Sequence, residues 1–280
     1  AGAIRMGAGD VFICAGVESM SRVPMGGFNP LPNPALYAAY PQAYMSMGET
    51  AENLARKYGI DRARQEAFAL ASQQKVFAAQ QKGLLAAEIV PIEASQVGYV
   101  EQDGCPRPDT SLEGLAKLAP AFLQDGSVTA GTSSPLTDGA AAVLVCSEAY
   151  ADAKGLEKLA RIKSIAVSGC AAEIMGIGPV AASRRALARA GLRLQDMDIV
   201  ELNEAFAAQS LAVLQDLPVP MDKLNLDGGA IALGHPLGAS GARITGKAAS
   251  LLQREKKRYA LATMCIGGGQ GIATVLEAIL

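Results

Sequence analysis

The chain has 280 residues, of which 50% are hydrophobic, and a formal net charge of −2. That length and composition can bury a large core in one or two domains. The charge offers nothing to attract a nucleic acid or an acidic membrane surface, and no apolar run is long enough to span a bilayer.

In chain order, residues 1–6 read as the end of a helix with no signal-like segment, so no targeting is legible there and a cytoplasmic location, with an organellar one open, is the expectation. An apolar strand follows from Asp10 into Gly16. Residues 24–48 are rich in Pro, Gly, Met and Tyr. Helices are predicted over residues 50–58 and 62–82, the second closed by Gly83. Residues 138–146 form a second apolar strand. From residue 158 strand and helix alternate: a strand over 160–168, a helix over 179–190 ending at Gly191, a short strand over 198–202, a helix over 204–215, a helix over 239–254, and strands over 258–265 and 272–279. Short apolar strands alternating with helices predict a layered α/β fold with a buried sheet.

The two ends of the chain resemble each other. Residues 10–18 mirror 259–267, each a helix end, an apolar strand and then glycine, and residues 138–146 mirror the strand that starts at Gly271. The pattern divides the chain into a partial repeat over residues 1–157 and a complete one over residues 158–280. An insertion over about residues 19–135 interrupts the first. Repeat logic places the counterpart of residues 158 to about 245 ahead of Ala1.

His235 is the only histidine, and glycines at 228, 229, 234, 238 and 241 surround it. Such a loop lets a ligand approach the backbone closely. A histidine before a helix is either a capping or core residue or, as a neutral imidazole, a general base and hydrogen-bond donor. Cys265 ends an apolar strand where Ile266-Gly267-Gly268-Gly269 must turn. It reads either as a buried structural thiol or as a nucleophile or proton carrier. The glycine run lacks the Lys-Ser/Thr of a P-loop and no helix follows it, so a nucleotide phosphate site is rejected. Asn203, between a strand and the helix predicted from 204, is an N-cap, an orienter of a water or carbonyl, or both. Met45 and Met47 line an acyl pocket or pack the core. The five cysteines are scattered and odd in number, as expected of reduced thiols, and with one histidine and no Cys-x-x-Cys no metal site is readable.

Taken together these segments resemble the thiolase family of acyl-CoA acyltransferases. The matching pieces are Gly16-Val17-Glu18-Ser19-Met20-Ser21, Met47 to Asn53, Thr129 to Ser134 with Asp138-Gly139-Ala140-Ala141, Asn203-Glu204-Ala205-Phe206, Gly228 to Gly241 and Cys265 to Gly271. The resemblance implies a layered α-β-α fold of two βαβαβαββ halves, one complete and one partial here, with an inserted loop domain that binds coenzyme A. It implies cleavage of 3-oxoacyl-CoA by CoA, or the reverse condensation, with His235 as base and Cys265 as proton carrier. A water on Asn203 together with His235, and the amide of Gly267, would form the oxyanion holes. Met47, Arg107, Phe122, Ala130, Ser134 and Phe206 would line the CoA channel, Arg107 at the nucleotide end. CoA and acyl-CoA are substrates, with no tightly bound cofactor implied, and homodimers or homotetramers are expected.

Thiolases also carry a nucleophilic cysteine at the start of the helix whose tail would be residues 1–6. None of the five cysteines here matches it, so the isolated chain is expected to be inactive. Ser46 stands where biosynthetic relatives often carry His, which favours a degradative enzyme. The alternatives are an inactive fragment that binds CoA or joins thiolase subunits and, more remotely, a hydrolase using Cys265 with His235, for which no leaving-group acid is evident.

Overall fold

The computed structural model describes residues 1–95 and 98–279. A single turn, α1 (Gly2–Arg5), leads into β1 (Val11–Ser19). The insertion begins with α2 (Pro34–Ala39), which starts where the Asn33 side chain accepts a hydrogen bond from Leu36 N and Pro34 fills the first helical position. Then α3 (Met47–Tyr58) begins three residues earlier than its apolar pattern indicates. Ser46 and Glu49 form a reciprocal capping box there, and left-handed Gly59 ends the helix. Asp61 caps α4 (Arg62–Gln81). Next come a small antiparallel pair, β2 (Ile92–Ala94) with β3 (Gly98–Val100), and the short α5 (Leu112–Ala116).

The chain then returns as β4 (Asp138–Cys146), which pairs antiparallel with β1 from Val11 opposite Cys146 to Ser19 opposite Asp138. After α6 (Glu148–Lys154) the second half runs β5 (Ala160–Gly169), α7 (Gly178–Ala190), β6 (Ile199–Leu202), α8 (Ala207–Asp216), α9 (Ala230–Leu233), α10 (Leu237–Arg254), β7 (Tyr259–Ile266) and β8 (Gln270–Ala278). Its sheet has the order β5-β8-β7-β6, with β6 and β7 parallel and the other neighbours antiparallel. Between α8 and α10, where the βαβαβαββ pattern implied by the resemblance has a strand that no local apolar run marks, there is a single parallel bridge between Val200 and Leu224.

Helix α10 is the layer between the two sheets. Its Ile244, Ala248, Leu251 and Leu252 pack on Ala260, Ala262 and Leu276 of the larger sheet. Its opposite side is built of small residues so that β1 and β4 can lie close. A Cβ placed on Gly16 would stand 1.8 Å from the Gly238 carbonyl oxygen, and one on Gly246 2.9 Å from Val143 Cγ1. On the far side of the larger sheet, Val180, Ala186 and Leu187 of α7 join Leu261, Ala273 and Val275. The layers are therefore sheet, helix, sheet, helix, and the last three make the expected α-β-α arrangement. The face of β1–β4 that points away from α10 leaves Ile13, Val17 and Leu144 at 77%, 73% and 52% exposure. Among the described residues no helix is long and apolar enough to cross a membrane.

Two local readings are corrected. The helix expected from residue 204 starts at Ala207, and Phe206 is its N-cap, so Asn203 caps nothing. The glycine-rich run before His235 contains a helical turn, α9, where continuous turn was expected.

Candidate active site

The loop that carries His235 is shaped by a buried carboxylate. Glu204 Oε2 accepts from Ser72 Oγ (2.6 Å) and from Ile231 N–H (3.2 Å), and Oε1 accepts from Asn225 Nδ2 (2.7 Å). Gly229 N–H donates to Ser72 Oγ at 3.0 Å, and a Cβ on Gly229 would lie 2.1 Å from Glu204 Cδ. Only glycine lets the backbone pass this close to the carboxylate. Gly234, at φ +94°, then turns the chain against Thr137, whose Oγ1 accepts the His235 N–H at 3.1 Å. Residues from the insertion, the first half and the second half thus hold one loop.

His235 itself is 7% exposed. Its Nδ1 lies 2.6 Å from Ser240 Oγ, on the first turn of α10, and the Ser240 hydroxyl also reaches the Pro236 carbonyl at 3.1 Å. Burial first, and then the Arg243 cation, push the imidazole down to about 4, so it is neutral at neutral pH. A neutral imidazole can take a proton. An imidazolium could not.

Cys265 lies on β7 opposite Gly271 of β8, packed among Ala51, Val128, Met175, Phe206 and partly buried Met47. Burial pushes this thiol up to about 12, and the nearby Cys170 adds to the shift. The residue is therefore a protonated thiol at neutral pH, which favours a proton carrier over a resting thiolate. Cys105, half-buried beside Gly234, is also shifted up by burial.

Asn203 follows β6 directly, and β6 runs parallel to β7 with Leu202 opposite Thr263. Asn203 and Cys265 thus sit at the carboxyl ends of adjacent parallel strands, the usual place for ligands in α/β sheets. Asn203 is 1% exposed, and neither Oδ1 nor Nδ2 has a hydrogen-bond partner among the described residues. Its backbone N–H is bound to Thr263 O at 3.0 Å. A buried amide with both polar ends unsatisfied is costly unless it serves a bound water or ligand.

Most of the expected channel residues meet at this end of the sheet. Phe122 packs edge-on to Phe206 with ring centroids 5.8 Å apart, and it lies against Gly48, where a Cβ would come within 2.1 Å of the ring. Met47 Sδ lies 3.9 Å from where a Cβ on Gly267 would be. Ser134 N–H donates to Ala205 O at 3.0 Å, and Ser133 bridges Phe206. Ala130 is exposed, on the short turn before Ser133. Arg107 stands apart: its backbone N–H is fixed by Gln73 Oε1 at 2.8 Å, and the residue is exposed.

The residues that sequence reasoning missed are Glu204, Thr137, Ser240 and Glu52, all of which position others. The Glu52 carboxylate accepts the Ser127 and Val128 amides, each at 2.8 Å, and so ties the segment after Phe122 to α3. Their signal in the sequence is weak. Glu204 and Glu52 are both 2% exposed, where an unpaired charge would be expensive, yet their sequence neighbours are mixed in polarity.

Residues 1–149 match the model of the thiolase N-terminal domain and residues 156–278 that of the thiolase C-terminal domain. The chain is 52% identical over 285 residues to the 3-ketoacyl-CoA thiolase of Pseudoalteromonas translucida, covering 99% of this chain and 73% of the relative. It is 47% identical to the 3-ketoacyl-CoA thiolase of Bacillus subtilis, covering 98% of this chain and 73% of that one. Among solved structures, human mitochondrial 3-ketoacyl-CoA thiolase superposes with a TM-score of 0.91 at 43% identity, over 100% of this chain and 74% of that one. The same enzyme in complex with CoA gives a TM-score of 0.90 at 44% identity, over 100% of this chain and 73% of that one. With both halves matched in order and relatives near 50% identity along its whole length, the chain belongs to the thiolase family of acyltransferases.

Proposed function

We propose that the chain works in the thiolysis of 3-oxoacyl-CoA to acetyl-CoA and a shortened acyl-CoA, and in the reverse condensation. The observation that carries this reading is the grouping of Cys265, as a protonated thiol, with the unpartnered Asn203 amide at one end of the sheet. Nothing in the comparisons favours the alternative of an inactive CoA-binding fragment.

His235 Nε2 takes the proton of the attacking thiol, which resemblance places on the helix that ends in α1. The thiolate adds to carbon 3 of the substrate. The bond between carbons 2 and 3 then breaks, the acyl group stays on the thiol as a thioester, and carbon 2 of the departing acetyl-CoA enolate takes the proton of Cys265. Incoming CoA gives its thiol proton to the Cys265 thiolate and attacks the thioester. The released thiolate recovers its proton from His235, and the atoms balance. A water held by Asn203 and the Gly267 amide stabilise the developing oxyanions, each such donor contributing about 3 kcal/mol.

Met47, Phe122, Ala130, Ser134 and Phe206 form the pantetheine channel, and Arg107 reaches the nucleotide end of CoA. CoA enters as a substrate, with no tightly bound cofactor. The domain division falls at residues 157 and 158, with the insertion over about 19–135 forming much of the CoA surface. A homodimer or homotetramer in the cytoplasm completes the reading.

The reading is tested by deuterium exchange into the methyl group of acetyl-CoA, which needs Cys265 but no acyl transfer, together with thiolysis of 3-oxoacyl-CoA substrates of graded length. Wild-type exchange that Cys265→Ala abolishes is expected. A wild-type protein that neither exchanges the methyl protons nor thiolyses any substrate overturns the reading.

A further inference from the structure

We propose that Ser240 is a positioning residue that holds His235 in the tautomer with its proton on Nδ1, leaving the Nε2 lone pair as the base. The inference rests on the reading of His235 as a base given above.

The geometry is local. Ser240 Oγ is 2.6 Å from His235 Nδ1 and 3.1 Å from the carbonyl oxygen of Pro236, one helical turn before it. A serine hydroxyl has one proton and two lone pairs. Given to Pro236 O, which also accepts the Ala239 and Ser240 amides at 2.9 Å, the proton completes the bond from residue i to i−4 that serines make in helices, and an oxygen lone pair faces the ring. Nδ1 must then carry a hydrogen to fill a contact this short, because two lone pairs would otherwise meet at 2.6 Å. A neutral imidazole has one N–H, so Nε2 is left as the acceptor.

The surroundings keep the pair in place. Ser240 is 0% exposed and His235 is 7% exposed, so no bulk water competes for Nδ1. The backbone under the ring is pinned from a second direction by Thr137 Oγ1 at His235 N–H. The opposite tautomer, with the Ser240 proton on Nδ1 and a hydrogen on Nε2, could not accept a proton from a thiol. The side of the ring facing α10 therefore decides what the side facing substrate can do.

His235 is the only histidine in the sequence, so its tautomer can be read without assignment. Untagged protein labelled with nitrogen-15 histidine is examined by two-bond nitrogen–hydrogen correlation spectra at neutral pH. Nδ1 in the protonated range and Nε2 in the unprotonated range are expected. In Ser240→Ala the two resonances are expected to move towards each other as the tautomers mix. A wild-type spectrum with the proton on Nε2, or an unchanged pattern in Ser240→Ala, overturns the proposal. A purely structural role for Ser240 would lower stability without moving the resonances. The spectra involve no substrate, so the reading of His235 as a base fails separately, if His235→Asn leaves the rate unchanged in protein that thiolyses 3-oxoacyl-CoA.

Discussion

The two antiparallel pairs, β1–β4 and β7–β8, are versions of one motif used differently. In the second, Gly267 to Gly269 join the strands directly, and the pair lies inside a sheet covered by helices α7 and α10. In the first, residues 20–137 separate the strands, and one face carries Ile13, Val17 and Leu144 in the open. The repeat that aligns Asp10 with Tyr259 puts Gly16 in the place of Cys265. Cys265 is buried in an apolar pocket whose desolvation keeps its proton on. Gly16 has no side chain because the start of α10 lies on it. The same strand end thus holds a buried, protonated thiol in one half and, in the other, a floor for the helix that follows His235. Duplicated scaffolds keep their hydrogen-bonding pattern and specialise through which residue occupies the end of the strand.

The largest expected effect breaks the chemical side of that comparison. Cys265→Ala is expected to slow methyl exchange into acetyl-CoA on the order of a thousandfold, within the range for a lost general acid–base group. Its unfolding midpoint should stay close to wild type, since only one sulfur leaves the pocket. Cys14→Ala, on exposed β1, should change neither quantity. Equal losses in the two variants would mean that the thiols are not specialised. Gly16→Ala strikes the structural side. Its Cβ would fall 1.8 Å from Gly238 O, so β1 and the start of α10 must separate. A loss of about 3 kcal/mol in urea unfolding is expected for such overpacking against backbone. A wild-type midpoint would show that the contact relaxes freely.

The alternation of short apolar strands with helices was sufficient to place β5 to β8, α7 and α10, because each element is marked by its own hydrophobic period. His235 and Cys265 were also legible, one by being unique and the other by ending an apolar strand in glycines. Of the two readings of Asn203, the structure excludes the cap. Asn203 is no cap because Ala205 and Phe206 are tied to Ser134 and Ser133, which no local pattern reveals, and the helix starts only at Ala207. The role of Glu204 is invisible locally for the same reason: Ser72 lies 132 residues away in sequence. Arg107 rests on resemblance, since only its backbone is anchored here.

Glu204→Gln sharpens the comparison next, because β1–β4 has no buried carboxylate of this kind. Both Glu204 oxygens accept hydrogen bonds, so an amide would set a donor against a donor at one of them. A loss of about 2 kcal/mol is expected, with faster proteolysis of the loop around Gly229. Intact stability would mean that Ser72 and Asn225 hold the loop without the charge.

The smallest effect separates the halves by pH. His235 titrates at about 4 in the folded protein against an ordinary value of 6.5. Between those values the unfolded chain binds a proton that the folded one refuses, so stability falls as acid is added. The loss is about 1.4 kcal/mol per pH unit within that window, and it should be absent from the His235→Asn curve, so that the difference from wild type isolates it. Glu201, buried on β6, is pushed up to about 8 by desolvation, against 4.5 ordinarily. It binds its proton more tightly when folded, so its contribution is present in acid and is lost as pH rises from about 4.5 to about 8. Glu201→Gln should therefore flatten the alkaline side of the same curve. Opposite slopes from these two residues would place the pH response in the second half. A wild-type curve that His235→Asn leaves unchanged between pH 4 and 6.5 would mean that the imidazole is solvated in the folded protein and that the loop around it is open.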